Sequence, residues 1–131
     1  MIIPAYLLMT GNTMSSKLND VEEAILYFRY PSTGDCYIKA LYHKESFFLP
    51  LFELFSLLNL HCEVDSSLNL IKGTWHISAK KWTIDVNSFQ AKYGKNKIFF
   101  SSDDIRLDSG ELYLSPGLYE KLFKLRFKIE L

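Results

Sequence analysis

From Val21 to Tyr30, VEEAILYFRY, apolar and polar positions alternate, placing Ala24, Leu26, Phe28 and Tyr30 on one side of an extended chain. A period of two carried by aromatic and branched residues predicts a strand. The turn formers PSTGD follow, and Cys36 to Tyr42 alternates again with Cys36, Ile38, Ala40 and Tyr42 together. The two segments predict a hairpin with a loop of several residues.

The pattern changes at SFFLPLFELFSLLNL, Ser46 to Leu60. Pro50 has no backbone donor and fits the first turn of a helix. After it, Glu53, Ser56 and Asn59 recur every third position, which gathers them into one narrow polar stripe. The rest of the circumference is apolar, so the helix is expected to be covered on most sides. At about ten residues the run is half of what a bilayer requires, and the reading is a core helix.

Leu60 to Asp65 predicts a short strand. Thr74 to Ser78 and Lys81 to Val86 predict a hairpin, with Trp75 and Ile77 on one face and Trp82, Ile84 and Val86 on another alternating set. Asn87 to Lys97 is polar and reads as a crossing loop before a strand at Ile98 to Phe100. Ser115-Pro116 places an N-capping serine before a proline at the first helical position. Leu118, Tyr119, Leu122 and Phe123 then form an apolar helical face. Leu125 to Leu131 alternates most cleanly of all, predicting a strand that runs to the last residue, as in a piece of a longer chain.

The stretch Glu111 to Leu125, ELYLSPGLYEKLFKL, repeats the Ser46 to Leu60 pattern. Each copy runs from an extended entry ending near proline into a helix and then a strand, a duplicated supersecondary unit. The fold expected is α+β: a small antiparallel sheet curled around one buried helix, with a second short helix from a degenerate internal repeat. Residues 1–20 are expected to be a flexible N-terminal arm. Residues 21–131 form a single domain, with repeat-like units at about 37–86 and 98–131.

Composition narrows the function classes. Fifteen basic and fifteen acidic residues give a formal net charge of zero, and lysines are scattered along the chain. No global field favours nucleic acid, and nucleic-acid binding is not expected. Almost half of the residues are apolar, enough for a core. The N-terminal apolar run is too short to span a bilayer and lacks a basic start, so no direct membrane insertion is expected. Cys36 and Cys62 lack metal-ligand spacing; they are either two thiols or one disulfide, according to compartment.

No catalytic constellation emerges. Ser78-Ala79-Lys80-Lys81 fits a serine–lysine spacing only formally, because it sits on a predicted hairpin tip and not on a helix. His61 and Cys62 are adjacent on a strand and point to opposite faces, so they do not chelate together. His43 and His76 have no ligand-like neighbours, and no metal or cofactor is expected. Glu22-Glu23 and Asp103-Asp104 read as solvated pairs. Gly94-Lys95-Asn96-Lys97 lacks the second glycine and the helix of a phosphate loop.

Phe47 to Asp65, FFLPLFELFSLLNLHCEVD, and Leu112 to Glu130, LYLSPGLYEKLFKLRFKIE, resemble the entry–helix–strand unit of copper amine oxidase N-terminal-type domains. Similar units occur in periplasmic parts of bacterial outer-membrane usher-like proteins. The resemblance covers Tyr37 to Leu131. It departs from the pattern where Phe52 replaces an arginine, and where Asn59 and Lys124 replace the glycine that ends the helix. It carries no active site with it.

The resemblance implies a non-catalytic interaction or assembly module of an exported cell-envelope protein, located in the envelope or periplasm. Its partner would be another protein or another domain of the same longer chain. Edge strands such as Val21 to Tyr30 would offer backbone groups for strand addition. The candidate interaction residues are Tyr27 and Arg29 on that strand, Glu53 on the polar helix stripe, and Trp75 and Trp82. The rival expectation is a glycan- or peptide-binding accessory module with Trp75 and Trp82 as an aromatic platform.

Overall fold

A computed structural model describes residues 2–8, 21–30, 34–65, 70–75 and 80–130. Among them are twelve strands and two short α-helices. In chain order these are β1 (Ile2–Leu8), β2 (Glu22–Tyr30), β3 (Gly34–His43), β4 (Ser46–Pro50), α1 (Leu51–Leu57), β5 (His61–Val64), β6 (Leu70–Trp75), β7 (Lys80–Asp85), β8 (Gln90–Tyr93), β9 (Asn96–Phe99), β10 (Ile105–Asp108), β11 (Glu111–Leu114), α2 (Pro116–Phe123) and β12 (Arg126–Glu130). They form a seven-stranded sheet ordered β10-β11-β4-β3-β2-β1-β12 and a five-stranded sheet ordered β5-β6-β7-β8-β9. Every pairing is antiparallel except β1 with β12.

The alternation read in β2 and β3 is the burial pattern found: Ala24, Leu26, Phe28, Ile38 and Ala40 are all buried. Their faces meet one core that also takes Ile71, Trp82, Ile84 and Ala91 from the five-stranded sheet. The helices lie between. Helix α1 touches β4, β5 and β11, and α2 touches β4, β8 and β12, so each contacts both sheets. Phe55 of α1, Trp82 of β7 and Phe123 of α2 meet edge to face with centroids 4.9–5.3 Å apart. Such pairs contribute about 0.5–1.5 kcal/mol each beyond area burial.

The α+β expectation is overturned: the molecule is mostly β, and no sheet curls around a central helix. Helix α1 buries only Leu51, Leu54 and Phe55, while Phe52, Leu57 and Leu58 stay half-buried. Strand structure was under-read in two places. Residues 2–8, expected within a loose arm, form β1 between β2 and β12. The polar stretch expected as a crossing loop holds the β8–β9 hairpin, whose outward residues Lys92 and Lys97 hide its alternation behind buried Ala91 and half-buried Ile98. Residues 9–20, 66–69 and 76–79, including Ile77, His76 and the Ser78 motif, lie outside the described residues.

The two segments expected to be repeats are neighbours in the seven-stranded sheet. Their entry strands β4 and β11 pair antiparallel, with Pro50 opposite Tyr113 and Leu49 opposite Leu114. The exits diverge: β5 opens the five-stranded sheet, whereas β12 closes the seven-stranded one. Both helices end on a residue of left-handed conformation, Asn59 and Lys124, each at φ 60°. These are the two positions where the resembled unit has glycine.

Candidate functional site

Strand β2 is not an edge. It lies between β1 and β3, so the strand addition expected there is blocked by ladders on both sides. Among the described residues the five-stranded sheet ends instead at β5 and β9. Strand β5 pairs with β6 on one side only. Beside it runs a groove of about 470 Å³, lined by α1, β5 and the turn between them, with Phe52, Cys62 and Val64 beside the polar Ser56, Asn59 and His61. Val64 is 36% exposed. An edge that pairs with no further strand among the described residues, next to a groove of mixed polar and apolar lining, supplies backbone groups for affinity and a floor for side-chain selection.

The groove is held by an unusual helix cap. Pro50 is the N-cap of α1 and has no side-chain oxygen to offer. Glu111, from the second unit, supplies it: its carboxylate accepts from Phe52 N–H at 3.2 Å and Glu53 N–H at 3.0 Å. The same oxygen that takes Phe52 also takes Leu112 N–H at 3.2 Å. Burial nonetheless pushes the Glu111 carboxyl above the usual carboxylate range, outweighing the three backbone donors. Glu53 is likewise raised by desolvation, with Lys39 pulling the other way. Burial pushes the Cys62 thiol up to about 12 and also raises Cys36. Both cysteines are free.

The other candidate residues fall in separate places. Tyr27 and Arg29 sit on the outward face of the seven-stranded sheet. Tyr27 faces Tyr37 across β2–β3, ring centroids 5.3 Å apart, and its hydroxyl donates to Asp35, the contact that chiefly raises its pKa. The Arg29 guanidinium lies 5.7 Å from the Tyr27 ring and 3.5 Å from Asp35. This is an exposed surface cluster on β2 and β3. Trp82 is 1% exposed, so no sugar or peptide can stack on it, and the paired-indole platform is lost. The Trp75 side chain lies outside the described residues. The Trp82 indole N–H is buried without an acceptor among the described residues.

His61 and Glu63 meet at 3.0 Å on the outer face of β5. The imidazole contact holds the Glu63 carboxyl below its usual range. Among the described residues no group of three histidine, cysteine or acidic side chains converges on a metal position. None of the described helices is long and apolar enough to cross a membrane.

What sequence reasoning missed is the β5 edge and the role of Glu111. The alternation predicts a strand at Leu60 to Asp65, found as His61–Val64, but nothing local reveals which strand ends a sheet. Glu111 opens the Glu111 to Leu125 stretch in sequence, and its task lies on helix α1. No family model matches the chain, and neither a curated protein nor a solved structure matches it.

Proposed function

We propose that this chain is a non-catalytic protein–protein interaction or assembly module of an exported bacterial cell-envelope protein. The observation that carries the reading is the side of β5 that pairs with no strand among the described residues, beside the groove between it and α1. Unpaired N–H and C=O groups on a sheet edge are a template for an added strand. Half-buried Phe52 and Cys62, with Val64, give that strand apolar ground to cover. The envelope assignment and the likeness to usher-like periplasmic domains rest on the repeated Pro50 and Pro116 units. The partner is another protein or another domain of the same chain.

The test is site-specific photo-crosslinking from position 64 in the full-length protein, expressed in its exporting cell. Adducts to an envelope protein or to a distant part of the same chain are expected. They should disappear when Cys62→Lys places a charge at the edge. Adducts confined to cytosolic proteins, or adducts that survive the charged edge, would refute the reading.

A further inference from the structure

At the opposite end of the five-stranded sheet, β9 presents a second edge, and its surroundings differ in charge. Between β9 and α2 lies a cleft of about 370 Å³. Lys97, Lys121 and Lys124 stand around it, with Ile98, Leu122 and Tyr93 as its less polar ground, and no carboxylate lines it. Lys80 reaches over the Tyr93 ring at 5.6 Å, adding a fourth ammonium nearby. On the outer face Lys92 and Lys97 are directly opposite in the β8–β9 register. Like charges so placed cost stability. Among the described residues Lys92, Lys97 and Lys121 make no ion pair. A chain of zero net charge has therefore gathered Lys92, Lys97 and Lys121, without ion pairs among the described residues, beside a strand that ends the described sheet.

We infer that the cleft between β9 and α2 takes up an extended, acidic segment of a polypeptide. Three features select that chemistry. The free edge of β9 offers alternating backbone donors and acceptors, which a peptide matches and a nucleic acid does not. An incoming strand finds ammonium groups on both faces: Lys97 and Lys92 on the outer side, Lys121 and Lys124 on the side of α2. Finally, the site is a cleft and not a plane, which suits a strand better than a lipid surface. The only ring standing well exposed there among the described residues is Phe99, at 65%, whereas single-stranded nucleic acids are held by several stacked bases. The surface is separate from the β5 groove, and failure here leaves that reading untouched.

The probe is a short fluorescein-labelled peptide of glutamate and valine, titrated into the whole chain at low salt and followed by anisotropy and by backbone amide shifts. Saturable binding that weakens with salt is expected, with the shifts concentrated on residues 96–99. Lys97→Glu combined with Lys121→Glu should weaken it roughly tenfold, at a few-fold per exposed charge, without lowering Tm. Val64→Lys, at the far edge, should leave it unchanged. No saturable binding overturns the proposal. So does equal binding of a lysine–valine peptide, an unaffected double variant, or tighter binding of oligothymidylate or phosphatidylglycerol vesicles at the same lysines.

Discussion

The Tyr119 hydroxyl donates to the Leu49 carbonyl oxygen at 2.8 Å inside the core. One residue belongs to the helix of the second repeat, the other to the entry strand of the first. Tyr119 is fully buried, and burial holds its phenol well above the ordinary value, so it remains a donor at any physiological pH. Tyr119→Phe keeps the ring and leaves the carbonyl without this donor. A destabilisation of about 1–2 kcal/mol is expected by urea unfolding, with an unchanged m-value.

Gly73 lies directly opposite Trp82 in the β6–β7 ladder. A Cβ at this position would sit 2.5 Å from both the His61 carbonyl oxygen and the indole. The strand backbone cannot step aside without breaking the β5–β6 pairing. Gly73→Ala is expected to cost at least about 2 kcal/mol, although alanine is otherwise the mildest replacement. Thermal unfolding followed by near-ultraviolet circular dichroism, which reports Trp82 packing, checks it.

Lys124 ends α2 in a left-handed conformation at φ 60°, where a Cβ is strained. Glycine is the favoured residue there. Lys124→Gly is expected to stabilise the fold by about 1 kcal/mol, a rise in Tm of roughly 2–6 °C. An unchanged or lowered Tm in a calorimetric scan contradicts this.

The Glu53 carboxyl is raised by desolvation. The folded state therefore holds this proton more tightly than the unfolded state. The resulting stability is fully present below the unfolded value of 4.5 and is lost as pH rises through the higher folded value. Replacing the acid by an amide removes that loss. Glu53→Gln is expected to flatten the pH dependence of unfolding free energy above 4.5, relative to the wild type. A steeper dependence in the variant contradicts the assignment.

Cys62, with its thiol pushed up to about 12, has roughly one thiolate in ten thousand at pH 8. It is expected to react with a disulfide reagent only as the protein unfolds. Labelling of Cys36→Ser protein, with and without urea, measures this directly; fast labelling of the native variant would refute it.

Much of the local structure was legible because it is written in short-range periodicity. Alternation at Ala24, Leu26 and Phe28 marked the buried face of β2. Ser115 and Pro116 marked the start of α2, where Ser115 Oγ accepts from Leu118 N–H at 3.2 Å. Pro50 and Pro116 both stand at helix starts, and the strands that lead into them pair at β4 and β11. These signals depend on residues within a few positions of one another, so the chain carries them without its fold.

What the sequence determined by itself was which segments extend, which coil, and which side of each is apolar. Only the tertiary structure decided the rest: that β2 is interior, that β5 and β9 end a sheet, that Trp82 is enclosed by Phe55 and Phe123, and that Glu111 caps a helix in the other copy. A strand's pattern records whether its faces are wet or dry. It records nothing about whether its backbone has one neighbour or two, because every strand carries the same donors and acceptors. Both proposed surfaces depend on that missing neighbour, so they became visible only when the strands were put in order.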